Sequence, residues 1–553
     1  MAARSDRSRS PGRFASDVAD DDLDFGSEEF NIQEADECKE VCSALPWVPS
    51  GWSSFHASEI PHGPCTRADL HDWPEHQWRR LCNAFGEAAV KMSVQRILAL
   101  GLFVTTHYSG MGTFEIMCGI IVAWLTRLGV HSSSVLERTF TMYAAADIDD
   151  LCVQVLGCHT GFCAPEHVFG DICHTLPVEL VSKWLRKLEK YRRQVQSSTV
   201  SPSQRRQLID RLGRAFVHKA LAEMRAVNIP KNVRHFCHKH NRYCRHFPSK
   251  QPNGKLHVEA AGTTCVGFSP LGSNWRWLDD SCVAFLCWIA LMWVGVPDII
   301  VHECVPAFDP DILEMALNFQ SDDDCKYDVR SICFSTRDQG VPIDRRRRYS
   351  VCTRIALIHI NKYNLSYFSL VSFRRLEING SIFFQAAADR LEQVKGETAR
   401  ARGLPAASGG HSWPWRALLT ASENQMLQAI CRNGVVDPEG EAFVTLSQNW
   451  FRQPASVGLC IPALTRNSKI YRMSPVARDE RLAIADEYFG MQMMPMFLPE
   501  DHVSRTHFPE QSLHEAGAFK IGKARRLTGN GMNIEAVGSV FLFALATMVL
   551  QEP

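Results

Sequence analysis

Residues 100–110 read LGLFVTTHYSG, and residues 111–114 continue the chain as MGTF. An apolar, β-branched run that ends in a glycine turn predicts a buried strand, and the helix-spaced stretch after it, through Leu128, makes the turn a strand-to-helix joint. Glycines at such a joint let backbone approach a ligand closely and aim the helix amino end at it. A second strand, RTFTMYAAADID over residues 138–149, ends in acids, and a short apolar run at 167–169 is followed by Gly170, Asp171 and Ile172. Asp147 is placed to hydrogen-bond a ribose, and glycine or acid at three successive strand ends fits a nucleoside-bearing cofactor. Further strand-like runs at 257–264, 297–303, 331–336 and 349–359, with an apolar helix over 282–296, imply an α/β sheet with helices on both faces.

The 553 residues carry 60 Lys/Arg and 60 Asp/Glu with 45% hydrophobic residues, which allows a large core and excludes a small stapled scaffold. The 20 cysteines are scattered and no apolar signal core precedes them, so most read as reduced thiols of a cytosolic or nuclear protein. The longest apolar runs, 282–296 and 537–550, fall short of the roughly 20 residues a membrane span needs, so both read as buried helices. Charge is segregated. Residues 4–13 are basic and Ser/Pro-rich, 17–37 hold ten acids and no Lys or Arg, and 1–45 therefore read as a disordered charged tail. A helical lead-in over 46–99 follows. Within 178–250 two amphipathic stretches meet at Ser201-Pro202, which predicts a helical hairpin. Residues 181–250 hold eighteen Lys/Arg against three acids, a stripe that suits nucleic acid or simply a solvated face. Within it lie Cys237, His240, Cys244 and His246, whose chemistry suits a zinc ion; no paired C-x-x-C accompanies them, the segment reads as a basic surface loop, and no metal is assigned.

A second constellation sits further on. Cys265, in GTTCVGFS over 262–269, follows a strand, Glu303 ends the next in HECV, and Arg345 and Arg347 lie in IDRRRRY over 343–349. In an open α/β sheet, groups at carboxyl strand ends converge on one crevice, so a thiol, a carboxylate and a pair of guanidinium groups would face one substrate.

In this order the motifs resemble those of the cytosine carbon-5 DNA methyltransferases, in a divergent branch of the protist or algal type. YSGMGTFE looks like the family's first glycine motif, AADID its ribose-binding acid, FGDI its adenine-contacting acid and GTTCVGFS its nucleophile loop. VHECV, VPIDRRRRY and GNGMNIEAVGSVFLFAL (529–545) look like its glutamate, arginine and final glycine–asparagine motifs. The chain departs from the pattern at Thr113, Thr264, Cys304 and Ile343, while the cysteine, the glutamate and both spaced arginines are kept.

The resemblance implies a Rossmann-like methyltransferase sheet over 100–355, a smaller irregular target-recognition domain over 356–508, and a segment 509–553 that returns to the catalytic domain. It implies S-adenosylmethionine as cofactor, held by Tyr108, Gly110, Met111, Gly112 and Phe114, by Asp147, Ile148, Asp171 and Ile172, and by Thr264, Asn530 and Gly531. It further implies that Cys265 adds to carbon 6 of a flipped cytosine, that Glu303 engages ring nitrogen 3, and that Arg345 and Arg347 hold the base carbonyl. DNA is the implied partner and the nucleus the implied location. RNA cytosine methylation, or a DNA-binding protein that does not turn over, are the alternatives, and protein partners of the tail are not indicated.

Overall fold

The computed structural model describes residues 60–550 except 228, 230–231, 249–253, 265, 270–271, 320–325, 361–364, 406–412, 433–440, 448–457 and 475–478. The charged tail, the first part of the lead-in and Cys265 itself lie outside the described residues.

Ten strands matter for the site: β1 (Leu102–His107), β2 (Phe140–Ala146), β3 (His167–Phe169), β4 (Arg234–Cys237), β5 (Arg242–Arg245), β6 (Leu256–Gly262), β7 (Ile299–Cys304), β8 (Tyr327–Ser335), β9 (Ile343–Asp344) and β10 (Arg346–Arg354). Nine of them form one sheet in the order β5-β4-β3-β2-β1-β6-β7-β10-β8. Strands β3, β2, β1, β6 and β7 are parallel, whereas β10 runs antiparallel to β7 and β8, and β4 antiparallel to β3. The α/β expectation holds, with antiparallel additions at both edges. Strand β1 is buried at all six positions because it has parallel neighbours on both sides and helices over both faces, which is why its sequence lacks alternation. Its polar residues are satisfied internally. Thr106 donates to Glu115 Oε1 at 2.6 Å, and the Glu259 carboxylate on β6 is met by Thr105 Oγ1, His107 Nδ1 and Trp288 Nε1.

Chain order runs outward from β1 through β2 to β3 on one side and then returns to β6 and β7 on the other. The reversal opens a crevice at the carboxyl ends of β1 and β6, where this architecture binds ligands. The helix Thr113–Arg127 leaves β1 across that crevice, and Ser281–Gly295, the apolar run of the sequence, is a buried helix between β6 and β7. No helix among the described residues is long and apolar enough to cross a membrane.

The lead-in is helical over Trp73–Phe85 and Glu87–Leu100, and both helices pack on Ile534–Thr547 from the far end of the chain. A Cβ on Gly538 would come within 2.4 Å of Trp73, so glycine is what permits this approach. Gln77 spans the contact, its Nε2 donating to Ser539 O at 2.8 Å and Ser372 Oγ at 3.0 Å. Residues 548–550 are not the continuation of this helix that the apolar run predicted. They turn extended at Met548 and pair with Ile358–Ile360, because the chain there meets an open strand edge.

The predicted helical hairpin is present as Val178–Ser197 and Pro202–Val227. Leu180, Trp184, Leu188 and Val195 face Phe216, Val217, Leu221 and Met224 in one core, and Trp184 Nε1 donates to Glu223 at 2.9 Å. The segment after it corrects the reading as a basic surface loop. It is the β4–β5 hairpin, which extends the sheet beyond β3. His235, Cys237, Cys244 and His246 point inward while Arg234, Arg242 and Arg245 point out, a period-two alternation disguised by histidines and cysteines standing where aliphatics usually do.

Residues of the 356–508 stretch divide between two cores. Val394, Trp415, Leu427, Val444, Tyr471 and Ile484 form a small cluster around strands Ala442–Thr445, Ile470–Met473 and Arg481–Leu482, while Phe368, Phe383 and Tyr488 belong to the main core.

Candidate functional site

The turn after β1 is left-handed at Tyr108 (φ 54°), Gly110 (φ 59°) and Gly112 (φ 87°). Gly112 also starts the helix Thr113–Arg127, and a Cβ there would meet His159 Nε2 at 2.6 Å. That imidazole nitrogen lies 2.8 Å from Met111 O, and burial lowers the His159 pKa to about 4, so the ring is neutral and donates to the carbonyl. Met111 is wholly buried, and the Phe114 ring packs 5.3 Å from that of Phe541. Two hydroxyls at the turn, Tyr108 Oη and Thr113 Oγ1, are buried without a hydrogen-bond partner among the described residues.

At the end of β2, Asp147 Oδ2 accepts the Gly110 N–H and Oδ1 the Asp149 N–H, both at 2.8 Å. The acid thus holds the glycine turn in shape. Burial pushes its pKa up to about 6, with the two backbone N–H donors acting in the opposite direction. Ile148, next to it, is 69% exposed, an apolar side chain left open where a ring could lie. After β3, Asp171 Oδ1 accepts the Cys173 N–H at 2.9 Å and starts the short helix Ile172–Thr175, with Ile172 buried behind it.

Asn530 and Gly531, some 420 residues later, come back to this turn. A Cβ on Gly110 would lie 3.3 Å from Asn530 O, and one on Gly531 would lie 3.0 Å from Thr113 Oγ1. Sequence reasoning missed the residue that makes this possible. Asp149 starts the helix Asp150–Cys158 through Leu151 N–H, and its Oδ2 accepts from Arg466 at 2.8 Å, Arg526 at 2.5 Å and Asn530 at 3.3 Å. The acid was visible in the AADID run, but its partners lie 317 and 377 residues away, with no local signal to point at them.

Of the second constellation, Glu303, Arg345 and Arg347 come together at the ends of β7 and β10. Gly262 sits opposite Glu303 in the β6–β7 register, and a Cβ there would lie 3.5 Å from Glu303 Oε2. Arg345 Nη2 reaches Glu303 Oε1 at 3.2 Å and Gly531 O at 3.0 Å, and Arg347 Nε reaches the same carboxylate oxygen at 3.1 Å. Glu303 and Arg345 are buried, and Arg347 is largely so. One guanidinium therefore connects the carboxylate to the turn that closes the glycine pocket.

Thr263 and Thr264 lead from β6 to Cys265. Thr263 Oγ1 lies 2.7 Å from His302 Nε2, and burial lowers the His302 pKa to about 3, so this contact joins two neutral groups. Past the cysteine, Val266 O accepts from Ser273 N–H and Gly267 O from Arg276 N–H, while Gly267 and Gly272 lie where a Cβ would strike backbone. The loop is folded on itself, with Thr264 and Val266 exposed on either side of Cys265.

No protein-family model and no curated protein matches the sequence. In structure the chain is similar to several solved methyltransferases. A Dnmt2 methyltransferase of S. pombe shares 13% identity over 80% of this chain and 97% of its own, with a TM-score of 0.35. A putative DNA modification methyltransferase encoded within an E. coli prophage shares 13% over 81% and 99%, with a TM-score of 0.37. The Entamoeba histolytica methyltransferase EhMeth shares 11% over 80% and 97%, with a TM-score of 0.38. The functional reading that follows rests on the residues of this chain.

Proposed function

We propose that the protein transfers a methyl group from S-adenosylmethionine to carbon 5 of cytosine in DNA. The observation that carries the reading is the buried Glu303 carboxylate held by Arg345 and Arg347, with Arg345 also bound to Gly531 of the turn that meets the glycine pocket. On this reading a base-recognising acid lies beside a cleft for the cofactor.

The residues of that cleft fit S-adenosylmethionine. Two buried hydroxyls lack partners among the described residues, an isoleucine is exposed at a strand end, and Gly110 and Gly112 put no side chain at two left-handed positions of the turn. When bound, the cofactor would supply an electrophilic methyl group. Cytosine carbon 5 is a weak nucleophile, so the Cys265 thiolate adds to carbon 6 and gives the ring enamine character. Glu303 holds a proton at ring nitrogen 3 as charge develops there, and the two guanidinium groups fix both the carboxylate and the base carbonyl. Once carbon 5 carried the methyl group, loss of its proton would restore the ring double bond and break the bond to Cys265 Sγ, which leaves as the thiolate.

A base stacked in a duplex cannot reach such a buried acid and must be flipped out, at about a few kcal/mol. The basic insert 178–250 is the proposed supplier of backbone contacts, and 356–508 the proposed target-recognition domain.

The test is a denaturing gel with S-adenosylmethionine and matched DNA and RNA strands carrying 5-fluorocytosine, whose fluorine blocks elimination and traps the thiol adduct. A DNA adduct absent in Cys265→Ala supports the proposal. An RNA-only adduct moves the activity to RNA. No adduct on either strand, with cofactor binding demonstrated, makes the chain a non-catalytic binding protein.

A further inference from the structure

The β4–β5 hairpin is a poor candidate for stability on its own terms. Each strand is four residues long, the turn between them includes Asn241 in the left-handed region (φ 50°), and the hairpin meets β3 through the single register pair Phe169–Cys237. Two-stranded hairpins of this size are marginal in water. Cys237 and Cys244 join a small apolar cluster with Phe103, Tyr143 and Phe169, and to this the hairpin adds a convergence of four side chains. His167 at the start of β3, Cys237 at the end of β4, His240 in the turn and Cys244 on β5 bring their imidazole nitrogens and sulfurs within 4.8 Å of one another.

The distances are informative. His240 Nδ1 lies 3.5 Å from Cys237 Sγ, 3.6 Å from Cys244 Sγ and 3.1 Å from His167 Nδ1. An imidazole nitrogen has one in-plane hydrogen or one in-plane lone pair, so it cannot serve three hydrogen-bonding partners at once. A tetrahedral zinc ion, with Zn–S near 2.3 Å and Zn–N near 2.0–2.1 Å, sets its ligands about 3.5 Å apart for S···N and about 3.4 Å apart for N···N. The three edges that meet at His240 fall within about 0.3 Å of those of such a tetrahedron, and all four donor atoms lie within 4.8 Å of one another.

We infer that His167, Cys237, His240 and Cys244 form a structural zinc site that fastens the β4–β5 hairpin to the edge of the sheet. Two thiolates and two imidazoles are a donor set suited to zinc, and together they neutralise its charge. Four protein ligands leave no open position, so the role is structural. Cys237 and Cys244 are buried and His240 is exposed, which leaves one side open for the ion to enter. His246, which the sequence offered as a ligand, is otherwise engaged. Its ring stacks on Phe169 and its Nε2 lies 2.7 Å from His107 Nε2. His167 takes the fourth place, from a strand 70 residues before Cys237 in the chain. The fastening matters for β3, because a Cβ on Gly170 would lie 3.1 Å from His238 Nε2 in the hairpin turn, directly before Asp171.

The experiment is elemental analysis of the full-length protein, purified from zinc-supplemented cells without chelator. One zinc per chain is expected, and none in Cys237→Ser/Cys244→Ser, while Cys431→Ser, at an exposed distant thiol, keeps the metal. Because the double variant could misfold, the wild-type chain is also stripped with a chelator and refilled with cobalt. Thiolate-to-cobalt charge-transfer bands of two-sulfur intensity, displaced by one equivalent of zinc, are expected. Absence of zinc from a folded chain even after equimolar zinc is added overturns the inference. So do zinc retained by a folded double variant and a Cys237–Cys244 disulfide in the peptide mass spectrum.

Discussion

The carboxylate of Asp149 accepts a hydrogen bond from Arg526 Nε at 2.5 Å, joining residues 377 positions apart and holding the end of the helix Ile521–Asn530 against the start of Asp150–Cys158. Asp149 is buried, while Arg526 and Arg466 are partly exposed, so solvent screens part of each ion pair. Asp149→Ala removes a helix cap together with the side-chain hydrogen bonds from Arg466, Arg526 and Asn530. The expected loss is about 2–3 kcal/mol in urea unfolding, with weaker S-adenosylmethionine binding in calorimetry. A variant as stable as wild type, with unchanged cofactor affinity, would remove Asp149 from the pocket's architecture.

Asp147 gives a pH dependence. Its folded pKa is pushed up to about 6, chiefly by burial, so the carboxyl is ionised above that pH and protonated below it. On the proposed function, only the ionised form would accept ribose hydroxyls with both oxygens. Cofactor affinity is therefore expected to fall as pH drops from about 7 to about 5, approaching tenfold per unit below about 6. The Asp147→Asn chain should show weaker binding and a flat profile over the same range; a slope retained in that variant would assign the titration to another group.

Glu303→Gln keeps shape and removes charge. Single-turnover methyl transfer is expected to slow by about 10²–10³, with S-adenosylmethionine affinity unchanged. A rate within a few-fold of wild type would mean that Glu303 serves only to anchor Arg345 and Arg347.

Arg205, Arg206 and Arg211 are exposed on the helix Pro202–Val227. Replacing all three with glutamate is expected to weaken DNA binding and to lower the slope of log affinity against log salt by about one for each phosphate that is no longer neutralised. Cofactor binding should not change. An unaltered salt slope would make this face a solvated one.

How much of this was legible depends on where each signal is encoded. The helix Ser281–Gly295 was readable because burial on all sides leaves an unbroken apolar run, and strand β1 because its apolar start and β-branched residues run into a glycine turn. The helical hairpin was readable because its apolar residues recur at helical spacing and Ser201-Pro202 marks a start. The order of Gly110, Asp147, Asp171, Glu303 and Arg345 placed them at neighbouring strand ends, where the fold brings them together. The β4–β5 hairpin was hidden because its inward residues are histidine and cysteine, and its tie to His167 crosses a 70-residue insert. The roles of Asp149 and Arg466 were hidden for a similar reason, since ion pairing between distant segments leaves no periodicity behind.

The approach of Gly110 to Asn530, and of Arg345 to Gly531, has a consequence for synthesis. A ribosome that has released residues 100–355 has delivered the glycine turn, the thiol loop, the acid and both arginines, yet the pocket still lacks a wall. Until residue 531 clears the exit tunnel, the nascent chain lacks the segment that approaches Gly110 and Arg345. On the proposed function, a product cut short before that turn would be inert, however complete its reactive residues.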